Sequence, residues 1–456
     1  MGNSKIQEYF KLKENGSDVK REVIGGLTTF LTMAYIIAVN ANILGATGMN
    51  VGAVATATAL TAGLFTIIMG LYANLPIALA SGMGINAFFA YTIVIGMNIP
   101  WQVALAATFV QGVIFIILSL TPVRETVANS IPTSLKLAIT AGIGLFIAFI
   151  GLVNAGIIVQ NDATFVTMGT FRSPSVLLTV LGVIIIAVLS KKKIIGAILW
   201  GIIVTAIVAW IYALIAPVTA ATYGIFLPTG VFRLESILPI AGQLDFSYLF
   251  DPAKIATFLT ITLTLLFVDF FSTIGTLVGV ATKIGPGMID KDGKVKNAGK
   301  ALLVDAIGTT AGAALGTSTV TSYIESSAGV AEGARTGLAS VVTGILFLIA
   351  MFFSPLFIAI PAAATAPALI VVGFFMMQGV TKIDFEDFTE GIPAFLTIIM
   401  MPLGYSIEYG LIIGVLSYAL LNGINNLLTR DPAKRKKISI VIYILAIVFI
   451  IRLIFF

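Results

Sequence analysis

Long apolar runs, bounded by charged residues, proline or glycine, follow one another along almost the whole chain. A helix needs roughly 20 apolar residues to cross a hydrocarbon core about 30 Å thick, and most of the runs have about that length. The pattern predicts two sets of seven spans, separated by a loop at 217–252. The first set lies near residues 23–44, 52–73, 77–95, 101–120, 134–157, 175–190 and 194–216. The second set lies near residues 253–282, 298–315, 317–331, 334–353, 358–380, 388–402 and 404–428.

The basic residues between the spans fall mainly on one side of this scheme. Lys and Arg near the ends of spans stay in the cytoplasm. If the N-terminus is inside, the basic clusters that also lie inside are those at 191–193, 283–300, 382 and 430–437. The two long outside loops then hold only Arg172 and Arg233. We therefore predict a multi-pass protein of the cell (cytoplasmic) membrane whose N-terminus is cytoplasmic.

The two ends of the chain carry different signals. Residues 1–22 are polar and charged for too long a stretch to resemble a cleaved signal peptide, so we expect the first span to remain as an anchor. The other end, KKISIVIYILAIVFIIRLIFF (436–456), is apolar enough to form an extra span. It also fits a segment that lies against the membrane while Arg452 reaches the interface. The sequence leaves both interpretations open.

An odd number of spans in the first half places the second half in the membrane upside down. Such inverted repeats are common in transporters, whose sites lie near the midplane where interrupted helices meet. The third span of each half reads ALASGMGINAFFAYT (78–92) and GTSTVTSYIESSAGV (316–330). Both begin with small or hydroxyl residues that weaken a helix. Each stretch predicts extended backbone followed by a half-helix. Non-helical backbone within the membrane is tolerated only where it is buried in protein or lines a cavity. The alternative is that the small residues serve close helix packing.

Composition narrows the chemistry that the chain can perform. Of its 456 residues 58% are hydrophobic and 10% are charged, whereas soluble domains carry about 25% charged residues. The sequence has no Cys and no His, which excludes disulfides, thiolate chemistry and proton transfer by imidazole. Proton chemistry therefore falls to carboxylates. The net charge of +5 comes from residues spread over short loops, which favours membrane topology over nucleic-acid binding.

Two carboxylates lie inside predicted spans. A charged residue at the bilayer centre costs on the order of 3 kcal/mol on insertion scales, so such acids face a cavity or a partner. Glu325 lies in the second interrupted span, and Asp269 lies in the span LTLLFVDFFSTIGTLVGVA. Helical spacing places Ser272, Thr273 and Thr276 on one face with Asp269, and we expect this face to point inward. The hydroxyls without the acid would indicate ordinary hydrogen bonding between helices.

Other charged residues near the spans have structural interpretations. Asp305 is expected near the membrane interface, paired with a lysine of the 283–300 loop. Glu332 and Arg335 are expected to cap or pair where the half-helix leaves the membrane. Glu408 is expected in a short outside turn, in contact with solvent.

The two intramembrane acids also limit the ligand. No basic residue of comparable depth accompanies them, which disfavours a permanently anionic ligand unless half-helix N-termini overcome the repulsion. A neutral, planar solute with adjacent N–H donors suits a carboxylate better, because two parallel hydrogen bonds are strong and directional. Asn86 supplies a donor and an acceptor, and Phe88 and Phe89 supply an aromatic face unless they are ordinary core residues. A carboxylate in a poorly hydrated cavity can also hold a proton near neutral pH, which would link substrate and proton at one site.

Four motifs carry a resemblance to a known family. They are TTFLTMAYIIAVN (28–40), ASGMGINAFFAYT (80–92), VDFFSTIGTLVGVA (268–281) and GTSTVTSYIESSAGVAEGARTGL (316–338). Together they resemble the AzgA-like purine permeases of the nucleobase transporter superfamily, and the TSYIES block is the most specific of them. The resemblance implies proton-coupled uptake of adenine, guanine or hypoxanthine across the cytoplasmic membrane, with binding acids in segments eight and ten.

The resemblance also implies a fold, that of the bacterial uracil permease. This is an all-α polytopic membrane protein of 14 segments, arranged as two inverted repeats of seven with short strands in segments 3 and 10. The implied parts are a cytoplasmic segment (1–22), a first core part (23–120), a first gate part (121–216), an extracellular loop (217–252), a second core part (253–353), a second gate part (354–428), and a basic linker with an apolar C-terminal segment (429–456).

The chain departs from the family pattern at a few positions. The segment-ten acid is Glu325, but the Asp that often precedes Thr-x-Gly in segment eight is replaced by Ser272. Asp269, one turn earlier, is the acid that could compensate. Ser81 and Ala41 stand where the family commonly has proline. These departures leave open which purine binds and which carboxylate carries the proton.

The sequence thus leads to one hypothesis with alternatives. A purine nucleobase binds between the half-helices and enters by proton symport through elevator-like alternating access, with Glu325 and Asp269 in proton coupling. The predicted substrate-binding residues are Glu325, Asp269, Ser272, Thr276, Asn86, Phe88 and Ser322. No catalytic residue, cofactor or metal is predicted, since neither acid cluster forms an oxygen cage. The alternatives are a sulfate-type anion transporter of the same fold, a channel, and an intramembrane enzyme, for which no motif is present. The oligomeric state, including a homodimer, stays open, as does Na⁺ in place of H⁺.

Overall fold

The computed structural model describes residues 2–121, 132–285, 288, 295–429, 431 and 435–455. Within these residues, nine helical stretches are long and apolar enough to cross a membrane. They are Val19–Gly45, Val51–Ala73, Trp101–Ser119, Thr133–Asn154, Pro174–Lys191, Ala197–Ile215, Ile255–Ala281, Ala362–Lys382 and Ile407–Leu428. Shorter apolar helices are Met83–Gly96, Gly337–Ala350 and Phe388–Leu403. The chain is therefore a helical, multi-pass membrane protein.

Helices and strands are numbered here along the chain. The helices are α1 (Gly2–Tyr9), α2 (Val19–Met33), α3 (Tyr35–Gly45), α4 (Val51–Ile68), α5 (Met83–Ala87), α6 (Trp101–Ser119), α7 (Thr133–Asn154), α8 (Pro174–Lys191), α9 (Ala197–Ile215), α10 (Pro217–Thr222), α11 (Ser247–Phe250), α12 (Ile255–Ile284), α13 (Ala298–Leu315), α14 (Ser326–Ala331), α15 (Gly337–Ala350), α16 (Ser354–Ile358), α17 (Ala362–Met377), α18 (Phe388–Leu403), α19 (Ile407–Leu428) and α20 (Ile440–Phe455). Met69–Ala73 and Phe88–Gly96 continue α4 and α5 as π-helix, and Gln378–Lys382 continues α17 as a 3₁₀-helix. The strands are β1 (Leu79–Ser81), β2 (Ile158–Asn161), β3 (Phe165–Met168) and β4 (Val320–Ser322).

Two short strands from distant parts of the sequence pair in the interior. β1 and β4 are antiparallel, with Leu79 opposite Ser322 and Ser81 opposite Val320, and both strands are buried throughout. Each precedes a short helix, α5 or α14, so both stretches have the extended backbone and helix that the sequence predicts.

Side chains from neighbouring helices satisfy the outer backbone groups of this strand pair. The Leu79 N–H donates to Thr66 Oγ1 at 2.8 Å, and the Val320 carbonyl accepts from Thr309 Oγ1 at 2.8 Å. The Ala78 N–H donates to Ser326 Oγ at 3.0 Å. An unsatisfied backbone group is costly at membrane depth, and these hydroxyls therefore make the non-helical backbone tolerable there.

Paired glycines bring helices from the two halves of the chain into close contact. A Cβ at Gly344 on α15 would lie 2.6 Å from the carbonyl oxygen of Gly63 on α4. A Cβ at Gly144 on α7 would lie 2.7 Å from the carbonyl oxygen of Gly373 on α17. Small residues at such crossings permit close packing of membrane helices. These contacts join α4 to α15 and α7 to α17.

Glu22 ties α2 to α15. It is 0% exposed, and its carboxylate accepts from the N–H groups of Arg335 at 2.9 Å, Thr336 at 3.3 Å and Ala339 at 3.2 Å. A negative charge at a helix N-terminus is favourable. The Arg335 guanidinium donates to the carbonyl oxygens of Val330 and Ala334 where α14 ends. The predicted capping role of Arg335 is confirmed, while Glu332 is exposed.

Other parts of the fold differ from the sequence expectations. The loop at 158–174, which the sequence predicts to lie outside, contains the antiparallel β2–β3 hairpin, which the apolar pattern does not reveal. The prediction of a solvated Glu408 is wrong, because this residue lies in the first turn of α19 and is only 4% exposed. The C-terminal segment forms α20, whose Ile442 and Phe449 are buried in a cluster with Val415 of α19. The side chain of Arg452 lies outside the described set.

Candidate functional site

Glu325 lies at the start of α14, immediately after the buried strand pair. Its Oε1 accepts a hydrogen bond of 2.9 Å from the hydroxyl of Tyr35, the first residue of α3. Tyr35 is fully buried, whereas Glu325 is partly exposed. The Tyr323 hydroxyl donates to the Ser81 carbonyl oxygen at 2.5 Å and so fastens β4 to β1. The carboxylate is thus held by two aromatic hydroxyls, one directly and one through the strand that carries it.

An open face of α12 lies one turn before the point where this helix contacts the start of α14. Ser272 is exposed, and a Cβ at Gly275 would meet nothing within 4 Å. One turn further, a Cβ at Gly279 would lie 2.8 Å from Ile324, whose side chain is 46% exposed. The helix therefore packs against the start of α14 and leaves accessible surface beside it. Glu325 with the Ser272–Gly275 face forms the candidate site.

Lys283, near the end of α12, extends over α14. Its ammonium donates to Ser327 Oγ at 3.0 Å, two residues after Glu325. The sequence interpretation excluded a basic residue from this depth, and the structure corrects it in part: a long lysine side chain reaches α14 although its Cα lies at the helix end. The Lys283 side chain is exposed.

Asp269 is fully buried on a different side of α12. Its Oδ2 accepts from Gln111 Nε2 at 2.9 Å and from Thr309 Oγ1 at 3.2 Å. Within the part of the chain that the structure describes, Asp269 Oδ1 and Gln111 Oε1 have no hydrogen-bond partner. Because Gln111 lies on α6 and Thr309 on α13, Asp269 joins three helices behind the accessible face.

Asp305 is not at the membrane interface, so the predicted pairing with a loop lysine is wrong. It is 0% exposed, and its carboxylate accepts from Ser322 Oγ at 2.9 Å and from Thr273 Oγ1 at 3.0 Å. The Thr273 and Thr321 hydroxyls lie 2.8 Å apart. The physical reason is the depth of α13, which starts at Ala298 and brings Asp305 two turns further into the protein, beside β4.

The polar face predicted on α12 is divided in the structure. Asp269 and Thr273 are buried towards α13 and β4, and Thr276 is also buried, whereas Ser272 is exposed. Residues 272 and 273 differ by about 100° around a helix of 3.6 residues per turn. The two side chains therefore point in different directions, and Ser272 lies apart from the buried set of Asp269, Thr273 and Thr276.

Three further predicted binding residues are enclosed by protein. Asn86 is 0% exposed, and its Nδ2 donates to Asn40 Oδ1 at 2.6 Å and to Ser81 Oγ at 2.9 Å. Phe88 is also 0% exposed and belongs to the main hydrophobic cluster. Ser322 is buried against Asp305. The structure thus gives these three residues packing or network contacts, and their part in substrate binding stays a prediction.

Several residues of the site were missed from the sequence. Tyr35 lies within the motif TTFLTMAYIIAVN, which indicates no role for it, and Gln111 and Asp305 lie more than 30 residues from Asp269 along the chain. A hydroxyl or amide that pairs over such a distance leaves no local spacing signal. Among the described residues, no three acidic side chains gather where they could hold a metal ion.

The arrangement can perform two kinds of chemistry. A partly exposed carboxylate accepts hydrogen bonds from a ligand that carries N–H groups, and bidentate geometry makes such binding directional. Asp269 and Asp305, in contrast, accept only from neutral donors in the hydrogen bonds given above. Burying an ionised carboxylate without a cationic partner is costly. These two groups are therefore suited to binding a proton.

Comparison with known proteins places the chain among permeases. Residues 20–413 match the Permease family model Xan_ur_permease. The chain is 46% identical to the putative permease MJ0326 of Methanocaldococcus jannaschii over 99% of this chain and 98% of that protein. It is 45% identical to the guanine/hypoxanthine permease PbuG of Bacillus subtilis over 99% and 100%, respectively. It is 41% identical to the adenine permease AdeP of Escherichia coli over 100% and 97%.

Proteins with a similar fold and a solved structure are named as transporters of other solutes. The transmembrane domain of a cyanobacterium bicarbonate transporter, BicA, matches with a TM-score of 0.62 and 15% identity, over 87% of this chain and 97% of that chain. The murine Slc26a9 anion transporter in the inward-facing state matches with a TM-score of 0.64 and 11% identity, over 90% of this chain and 69% of that chain. At these identities the likeness concerns the fold alone.

Proposed function

This chain belongs to the permease family whose model spans residues 20–413, and on that premise we propose that it imports purine nucleobases by proton symport. Permeases are transporters and not enzymes. Relatives that match over nearly their whole length are named guanine/hypoxanthine or adenine permeases. The proposed substrates are accordingly hypoxanthine, guanine and adenine.

The observation that carries this proposal is the Tyr35–Glu325 contact beside the open face of α12. A carboxylate oxygen pair accepts about four hydrogen bonds, so the bond from Tyr35 leaves acceptor capacity for a ligand. Guanine presents two adjacent N–H groups that match a carboxylate in geometry, and hypoxanthine and adenine each present N–H groups that can donate to one of its oxygens. Ser272 adds a hydroxyl on the accessible side of α12. In this proposal Glu325 binds the base, and Ser272 and Thr276 line the site.

Proton coupling is assigned to Glu325 and Asp269, with Asp305 as a neighbour. Asp269 and Asp305 are both fully buried, and both accept from hydroxyl or amide groups of the same region. Two buried carboxylates so placed favour a state with fewer than two negative charges. Thr273 donates to Asp305 and lies one helical turn from Asp269, so movement at the strand pair would reach both acids.

The proposed architecture behind this transport is two inverted repeats of seven segments, with short strands in segments 3 and 10. Antiparallel pairing of β1 with β4, each followed by a short helix, supports it. The core would comprise 23–120 and 253–353, and the gate 121–216 and 354–428. Elevator-like movement of the core against the gate would alternate access. The proposal places the protein in the cytoplasmic membrane with its N-terminus inside.

The main competing function is anion transport, because the fold is similar to that of BicA and Slc26a9. An anion site needs positive charge or free helix N-termini. Here the accessible group at the start of α14 is a carboxylate, and the Lys283 ammonium already bonds to Ser327. Glu325 therefore favours a neutral base over bicarbonate or sulfate.

Uptake of radiolabelled hypoxanthine by Glu325→Gln proteoliposomes tests the proposed binding role. Gln keeps the size of the side chain but replaces one acceptor oxygen with a donor, so uptake should fall to background. Glu332→Gln is the matched control, since Glu332 lies exposed at the other end of α14; it should transport normally. If Glu325→Gln still concentrated hypoxanthine, Glu325 would have no central role.

A further inference from the structure

A cavity opens at the end of the helical bundle that carries the β2–β3 hairpin. Its volume is about 180 Å³, the space of about six water molecules at about 30 Å³ each. One wall comes from α3 and from the π-helix after α5, and the other from α7 and α17. The lining residues are Val39, Asn42, Ile43, Ala46, Tyr91, Asn154, Ala362, Thr365 and Leu369. The cavity lies between the proposed core and gate. Its lining residues on and just after α3 follow Tyr35 by about one to three helical turns.

The lining is apolar on its broad sides and polar at a few points. Val39, Ile43 and Leu369 are buried aliphatic side chains, whereas Ala46 and Ala362 are exposed and mark the opening. Among the described residues that line the cavity, none is charged. A charged solute would lose its hydration without compensation in such a space, and a neutral solute with an apolar surface and polar edges would not.

The polar side chains already join the two walls to each other. Asn154 Nδ2 on α7 donates to the Tyr91 hydroxyl at 2.9 Å, and Asn42 Nδ2 on α3 donates to the Ile360 carbonyl oxygen at 3.3 Å. In these bonds both amides use their nitrogen atoms, so their Oδ1 atoms can accept from a ligand, and the Tyr91 hydroxyl can donate to one. Two amides and one hydroxyl group therefore line a space with aliphatic walls.

We propose that this cavity is an outer binding site for a neutral, planar heterocycle, separate from the site at Glu325. The aliphatic walls contact the faces of the ring, and Asn42, Asn154 and Tyr91 bind its edge. A ring that donates to Asn154 Oδ1 leaves the Asn154–Tyr91 bond in place, so a bound ring would contact core and gate at the same time. The identity of the ring as a purine base rests on the proposed function.

Cysteine labelling tests this site directly, because the natural chain has no Cys. Ala46→Cys places a single thiol at the exposed edge of the cavity, in a Glu325→Gln background that removes the proposed central binding role. A membrane-impermeant maleimide is applied to proteoliposomes with increasing hypoxanthine, and with sulfate as the anion control. At about ten times the dissociation constant, labelling should slow about tenfold, because only the unoccupied fraction reacts. Sulfate should have no effect.

Two companion variants make the result specific. Ala163→Cys, in the exposed turn of the β2–β3 hairpin, lies at the same end of the bundle but outside the cavity, and hypoxanthine should not protect it. Asn154→Ala in the Ala46→Cys chain removes an amide from the proposed site, so protection should need about tenfold more hypoxanthine. Circular dichroism and size-exclusion profiles identify variants that fail to fold, and Asn42→Ala then replaces Asn154→Ala.

The outcomes separate this inference from the proposed function. Protection of Ala46→Cys by hypoxanthine in the Glu325→Gln background supports an independent outer site. Loss of protection in that background, or equal protection of Ala163→Cys, overturns it. Uptake by the chain with intact Glu325 decides the proposed function on its own, so an unprotected cavity in a chain that imports hypoxanthine would refute only the outer site.

Discussion

Replacement of Tyr35 by Phe removes one hydroxyl group and keeps the ring that packs in the core. Tyr35 is 0% exposed, and its oxygen lies 2.9 Å from Glu325 Oε1. A hydrogen bond to a charged group contributes about 1.5–3 kcal/mol, which corresponds to about 10-fold to 150-fold in an equilibrium constant. If Tyr35 orients Glu325 for the base, the dissociation constant for hypoxanthine should rise by a factor in this range.

Equilibrium binding of radiolabelled hypoxanthine to purified Tyr35→Phe protein measures this change. Tyr409→Phe is the control, since its ring is 45% exposed and lies on α19. A double-mutant cycle with Glu325→Gln separates the contact from general effects of each substitution. In the Glu325→Gln background, the further loss from Tyr35→Phe should be small, because the charged acceptor is already absent.

Two results would refute this reasoning. An unchanged dissociation constant in a folded Tyr35→Phe protein would mean that the hydroxyl does not orient the binding carboxylate. An equal loss in both backgrounds would mean that Tyr35 acts through packing and not through Glu325.

Three further predictions concern other contacts. Asp269→Asn should retain purine exchange but lose accumulation driven by a proton gradient, and Asp162→Asn in the exposed hairpin is its control. Unchanged accumulation by Asp269→Asn would show that Asp269 has no part in proton coupling. Glu22→Ala leaves N–H groups at the start of α15 without their acceptor, so the free energy of unfolding should fall by about 1–3 kcal/mol, whereas Glu8→Ala on α1 should have little effect in the same denaturation assay. The Lys436 ammonium, 2.6 Å from Asp387 Oδ2, holds the pKa of Asp387 below its ordinary value. This ion pair therefore stabilises the fold above about pH 4, and its contribution is lost as the pH falls through the lowered pKa. The Tm of Lys436→Met should be lower than that of the unchanged protein at pH 7, and this difference should disappear in acid. A difference in Tm that does not depend on pH would argue against the ion pair.

The sequence predicts the features that depend on local pattern. Apolar runs predict the long helices, because burial in lipid imposes length and composition on each span. Small and hydroxyl residues predict extended backbone before α5 and α14, because they weaken a helix at positions where the membrane otherwise favours one. The same local reasoning identifies Glu325, a single acid in an apolar setting.

The sequence does not predict contacts that join distant segments. Asp305 was expected near a loop lysine because only its neighbours along the chain were visible, whereas Ser322 and Thr273 bind it in space. The partition of Ser272 from Asp269 depends on the direction in which α12 turns towards α13, and the spacing of hydroxyls does not fix that direction. The role of Tyr35 likewise required knowledge of how α3 meets α14.

Uptake of radiolabelled hypoxanthine into proteoliposomes under an imposed inward proton gradient tests the central claim most directly. Unlabelled adenine, guanine, uracil, sulfate and bicarbonate serve as competitors, and a protonophore removes the gradient. We predict that hypoxanthine accumulates above its external concentration. Unlabelled purines should inhibit this accumulation, sulfate and bicarbonate should leave it unchanged, and the protonophore should abolish it. Absence of accumulation, or inhibition by the anions alone, would contradict the assignment of this chain as a purine–proton symporter.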